Sequence, residues 1–111
     1  MSATELRERV RFERRVEADD GYGNTRGDWI GQFTVAARIM PLRGGEAVIA
    51  ARLEGTQPAI VTVYADARTR TVTPDWRIVD ARAGTVYAVR TVTLRESKDY
   101  VDLLCEAGVA A

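Results

Sequence analysis

The stretch Trp76-Arg77-Ile78-Val79-Asp80-Ala81-Arg82-Ala83-Gly84-Thr85-Val86-Tyr87-Ala88-Val89-Arg90-Thr91-Val92-Thr93-Leu94 decides the fold. Both flanks are rich in β-branched and aromatic residues, and Ala83-Gly84-Thr85 between them supplies a tight turn. The stretch therefore reads as two antiparallel strands, Trp76–Asp80 and Val86–Leu94, joined as a hairpin. Toward the C-terminus, Glu96-Ser97-Lys98-Asp99 turns the chain before a last strand, Tyr100 to Glu106. Toward the N-terminus, a polar stretch from Asp66 to Asp75 follows Ala59-Ile60-Val61-Thr62-Val63-Tyr64. That run is apolar, β-branched or aromatic almost throughout, as in a strand covered on both faces.

Farther toward the N-terminus the period changes. Gly44-Gly45-Glu46 opens Ala47-Val48-Ile49-Ala50-Ala51-Arg52-Leu53-Glu54, and Gly55 closes it. Alanine, leucine, glutamate and arginine favour helix, Glu46 suits its positive end, and Gly55 suits a C-cap. A helix of about two turns is not stable alone, so it is expected to dock on something. Before it, Phe33, Val35, Ala37 and Ile39 alternate with more polar or smaller residues up to Pro41, giving a strand. Val10, Phe12 and Val16 give another from about Arg9 to Glu17, with a bulge or a rim-seeking guanidinium at Arg14. Between these two strands, Ala18 to Asp28 is dense in glycine, aspartate and asparagine and reads as an exposed loop of around ten residues. Six short strands and one short helix describe an all-β domain, a small antiparallel barrel or sandwich.

Composition bounds what such a domain does. At 111 residues the chain is one domain, residues 1–111, with a single modest core. Its 16 Lys+Arg balance 16 Asp+Glu, which argues against a surface that grips nucleic acid or anionic membrane throughout. A zero sum also removes the mutual repulsion that discourages self-association. With no histidine and one cysteine, no Ser-His-Asp or Cys-His arrangement, disulfide framework or multi-thiolate zinc site exists within the chain. Cys105, inside an apolar strand, reads as a core residue. No catalytic residue, cofactor site or metal site is expected. The N-terminal residues lack the apolar stretch of a secretion signal, and no run approaches the ~18 apolar residues that cross a bilayer. A cytosolic product that does not meet a membrane is expected.

The remaining constellations have plain readings. Gly21-Tyr22-Gly23-Asn24-Thr25-Arg26-Gly27 lacks the Gly-Lys-Ser/Thr ending of a P-loop and opens no helix. The pairs Asp19/Asp20 and Glu8/Glu13 read as solvated surface acids. All cations except Lys98 are arginine, and in Arg7-Glu8-Arg9 and Arg11-Phe12-Glu13-Arg14-Arg15 they alternate with acid. Such mixed charge suits paired contacts between repeated subunits better than a nucleic-acid groove. Trp29, Trp76 and Tyr22 lie nearest loops, where a small barrel would stack single-stranded bases. Without net positive charge, packing in the core or at strand ends is the expected role for both tryptophans.

The order of landmarks carries a resemblance. Leu6-Arg7…Val10-x-Phe12, Asp20-Gly21-Tyr22-Gly23-Asn24, Trp29, the segment Ala36 to Glu46 with Pro41-Leu42-Arg43-Gly44-Gly45-Glu46, and Gly84-x-x-Tyr87-x-Val89 recur together in one family. By them the chain resembles the head–tail joining proteins, the head-completion or "stopper" family of tailed bacteriophages and gene transfer agents. It departs at Val35, where many members carry an aromatic residue. The resemblance implies a β-barrel subunit, made in the bacterial host cytoplasm, that assembles into a homo-oligomeric, dodecameric ring in the virion neck. This ring would lie between the portal and adaptor on one side and the tail terminator on the other, closing the DNA channel after packaging. It further implies that the connection between the second and third strands, Leu42 to Gln57, forms the channel plug. The plug residues would be Arg43, Gly44, Gly45, Glu46, Val48, Ile49 and Arg52. The loop with Asp20, Tyr22, Asn24 and Arg26 would then meet an adjoining ring or subunit. Neutral charge fits a conduit that double-stranded DNA touches only transiently and without sequence preference. The other function class compatible with the residues is a small barrel that binds single-stranded nucleic acid or a peptide.

Overall fold

The computed structural model describes residues 6–19, 21 and 25–108, and at residues 17–19, 25 and 26 only the backbone. Six strands appear in chain order: β1 (Glu8–Asp19), β2 (Thr25–Pro41), β3 (Gln57–Tyr64), β4 (Arg77–Asp80), β5 (Val86–Leu94) and β6 (Tyr100–Ala107). One helix, α1 (Glu46–Leu53), lies between β2 and β3. Every strand pair is antiparallel, and the order β1-β2-β3-β6-β5-β4 closes into a barrel. Closure, not a two-sheet sandwich, is how this chain disposes of its barrel edges.

The β4–β5 hairpin forms as its sequence predicts, with Ile78 opposite Tyr87 and Val79 opposite Val86. Asp80 holds the turn, because its carboxylate accepts from the backbone N–H groups of Arg82 and Ala83 at 2.9 and 3.1 Å. Alternation then fills the barrel. Val10 and Phe12 from β1, Val61 and Val63 from β3, Ile78 from β4, and Val101, Leu103 and Cys105 from β6 all point inward and are buried. Phe12, Phe33 and Trp76 close one end of this core, with ring centroids 4.9 to 6.5 Å apart. Cys105 is a core residue as expected, and burial pushes its thiol up to about 12.

β3 is largely covered on both faces, with Tyr64 at its end exposed. Thr62, on the outward face, is buried and donates its hydroxyl to Asp102 at 2.7 Å. Burial alone would raise the Asp102 pKa. The paired hydrogen bonds from Arg95 at 2.7 and 3.0 Å, with that from Thr62, outweigh burial and hold the carboxyl below its ordinary 3.8.

Two sequence readings change. The stretch Ala18 to Asp28 is not a ten-residue loop, because β1 and β2 continue pairing through it. Glu17 lies opposite Gly27, Ala18 opposite Arg26 and Asp19 opposite Thr25. The polar residues there reflect a two-stranded ribbon that has left the core. The bulge offered for Arg14 lies instead on the partner strand, where Gln32 is the extra residue between Phe33 (opposite Phe12) and Gly31 (opposite Glu13), while Arg14 itself is exposed, in line with the alternative of a rim-seeking guanidinium. This bulge marks the point where the hairpin stops being barrel wall and becomes a projecting arm.

Candidate assembly surfaces

The connection between β2 and β3 is stitched at its base and free beyond it. The Leu42 N–H donates to the Pro58 carbonyl at 2.9 Å, and the Gln57 side chain donates to the carbonyls of Leu42 and Pro58 at 2.9 and 2.6 Å. At its far end α1 is closed by Gly55 at φ 88°. The Gly55 N–H reaches the Arg52 carbonyl at 3.0 Å, and the Thr56 N–H reaches that of Ala51 at 2.9 Å. This double closure satisfies the last carbonyls and needs a residue that accepts positive φ.

Although a two-turn helix is expected to dock, none of the residues of α1 is buried, and its packing within the chain is against β3. Val48 and Ala51 are half-buried, while Arg43, Gly44, Gly45, Glu46 and Arg52 are exposed. Ile49 is 53% exposed and Leu53 is 85% exposed. These two lie four residues apart, on one helix face. They form an apolar stripe with nothing of this chain over it.

The arm begins at the opposite end of β2. On its outer face Glu13 is 5% exposed, covered by two guanidinium groups. Arg11 donates to one carboxylate oxygen at 2.8 Å and Arg77 to the other at 2.5 Å. Arg77 also lies over the Trp29 ring, 4.6 Å from its centroid, and Arg15 lies over the same ring at 5.0 Å. The acid–arginine alternation of β1 is thus one continuous ladder, Arg11–Glu13–Arg77–Trp29–Arg15. It fixes the root of the arm to β4.

On the inner face, where the arm meets the barrel, a cleft of about 560 Å³ opens. Phe33 and Trp76 line it as an aromatic floor, and Arg14, Gln32, Arg68 and Asp75 line it as a polar rim. Arg68 stands 5.3 Å over the Phe33 ring and reaches Asp66 at 3.3 Å. Val16 and Ile30 continue the apolar surface outward along the arm and are exposed.

The plug residues named from the sequence are therefore contiguous and mostly exposed, except that Val48 turns toward the barrel. Of the loop residues, Arg26 is on β2 opposite Ala18, while Asp20, Tyr22 and Asn24 lie outside the described residues. Sequence reasoning missed Leu53 and the cleft, and its reading of Glu13 as a solvated surface acid is wrong, because two guanidinium groups cover that carboxylate and it is buried. Only the arginine–acid alternation hinted at the Glu13 ladder, and nothing local marked the other two. Among the described residues no group of three or more Asp, Glu, Cys or His side chains could hold a metal, and no helix is long and apolar enough to cross a membrane.

Comparison with known proteins agrees with this architecture. The solution structure of protein SF1141 from Shigella flexneri 2a superposes with a TM-score of 0.74 at 18% identity, covering 100% of both chains. A chain from the virion of a native gene transfer agent particle superposes with a TM-score of 0.64 at 22% identity, over 93% of this chain and 94% of that one. At these identities the likeness is one of fold. No curated protein matches the sequence. The family described as phage head completion protein matches residues 1–108, nearly the whole chain, and to that family this protein belongs.

Proposed function

We propose that this chain is the stopper subunit of a viral or gene-transfer-agent neck. It assembles into a homo-oligomeric ring, twelve-fold as the resemblance implies, with the portal and adaptor on one side and the tail terminator on the other. The ring closes the DNA channel after packaging and offers the surface on which the tail docks. Its role is structural, with no catalysis and no cofactor.

The observation that carries this reading, beyond family membership, is α1. Two turns of helix with no buried residue stand on a stitched base, as a movable element requires. Such an element can hold two arrangements that differ by a few kcal/mol. The plug is the segment with Arg43, Gly44, Gly45, Glu46, Val48, Ile49 and Arg52, and the tip of the arm, with Asp20, Tyr22, Asn24 and Arg26, meets the adjoining ring or subunit. Contact with double-stranded DNA is transient and sequence-independent, in keeping with a net charge of zero.

The test is electron microscopy of particles made with and without the chain, with DNA retention measured alongside. Particles lacking it are expected to lose packaged DNA and to carry no tails. Full, tailed particles in its absence would overturn the reading. For the plug itself, Ile49→Asp changes an exposed residue and leaves the barrel intact. It is expected to let DNA escape, and unchanged retention would remove α1 from that role. A module for single-stranded nucleic acid or a peptide would instead act as a monomer outside the particle.

A further inference from the structure

We propose that the last turn of α1 docks into the Phe33–Trp76 cleft of a second copy of this chain, with Leu53 as the apolar anchor and Glu54 as the charge beside it. This inference deepens the ring reading above, on which it rests, by naming the contact between neighbours.

Three observations carry it. Leu53 is the most exposed large apolar side chain among the described residues. The cleft presents the complementary surface, an aromatic floor of Phe33 and Trp76 with Arg14 and Arg68 on its rim. Arg14 forms no ion pair among the described residues, so its charge is available to a visitor. Charge placement on the helix agrees. Glu54 is the C-cap residue of α1, where the helix dipole disfavours an acid, and a guanidinium from outside the chain would relieve that repulsion. Asp75 on the rim accepts from the Thr73 hydroxyl and forms no ion pair with Arg14 among the described residues.

Topology sets what such a contact builds. The cleft lies at the root of the arm, midway along β2, and α1 follows the C-terminal end of that strand, so the contact joins two different patches. Each docked copy still offers one free cleft and one free helix. A contact of this kind propagates, and where the rotation closes it makes a ring. The plug residues end at Arg52, one position before the anchor.

The experiment mixes two full-length variants, Ala50→Cys, an exposed position in the same turn that leaves the Leu53 anchor in place, and Gln32→Cys, in a glutathione redox buffer. Cys105 stays in place because it is buried. A disulfide-linked heterodimer is expected at roughly ten times the yield given by Ala50→Cys mixed with Lys98→Cys. Adding Arg14→Glu to the Gln32→Cys partner should cut the yield about tenfold, and Glu54→Arg on the other partner should restore it. Equal yields with Gln32→Cys and Lys98→Cys overturn the contact, as does a yield indifferent to Arg14→Glu. Rings seen in particles together with a failed cross-link would sink this contact alone. A cross-link in a chain that never enters particles would uphold the contact and sink the ring reading.

Discussion

A Cβ placed on Gly108 would stand 2.6 Å from the carbonyl oxygen of Gly55. The end of β6 and the C-terminal closure of α1 thus approach each other more closely than any side chain allows. The approach lies at the base of the α1 segment, next to the stitching by Gln57 and Leu42.

Gly108→Ala should therefore be costly, since the position also has φ 85° and its obstacle is backbone. A loss of about 2 kcal/mol or more is expected from the clash and the left-handed conformation together. Gly55→Ala meets nothing within 4 Å and should cost about 1 kcal/mol, from its positive φ alone. Urea denaturation of both variants decides the matter: equal costs would mean that the approach is not tight.

Glu13 should be the least replaceable acid of the arm. Glu13→Ala leaves Arg77, partly exposed, and Arg11, half-exposed, to be rehydrated in part, and should cost about 1 kcal/mol. Trp29 emission should shift as Arg77 leaves its ring, whereas Glu13→Gln should perturb both readouts less. A Glu13→Ala protein as stable as the parent, with unchanged fluorescence, would refute the ladder.

Asp102 sets a pH dependence of definite sign. Its folded pKa is lowered, so the stability it contributes is present above the ordinary carboxylate range and is lost as pH falls through the folded value. Asp102→Asn should lower the melting temperature at neutral pH, and the gap from the parent should narrow as pH falls below the ordinary carboxylate value of 3.8. Asp66 is lowered in the same direction, because N–H donation from Thr69 and Arg68 outweighs burial, so the parent should lose further stability there. A gap that stays constant with pH would contradict the Arg95–Asp102 pairing.

The barrel was legible because its signals are local. Alternation in Val86–Leu94 and the turn at Gly84 specify a hairpin without reference to the rest of the chain, and the glycines around Glu46–Leu53 bracket a helix. The arm was not legible, because its pairing is settled across strands. Gly27 reads as a loop former, yet it lies where a Cβ would meet the Arg15 side chain at 2.7 Å. Glycine there is the space across which Arg15 lies on its way to Trp29. The bare face of α1 was illegible for the opposite reason. Its residues are those of an amphipathic helix, and pattern alone says that such a face is covered without saying by which molecule.

The arm has one more consequence. Beyond Glu13 on β1 and before Ala37 on β2, neither strand pairs with a barrel neighbour, so two backbone edges stand open. Open edges recruit foreign strands and seed fibrils, a hazard sharpened in a protein whose charges sum to zero. Arginines at positions 14 and 15, with acids at 17 and 28, punctuate those edges with unlike charge at short intervals. A stacked copy in register would set each of them against its own kind. Unlike charge along the open edges thus opposes the strand-by-strand stacking of identical copies.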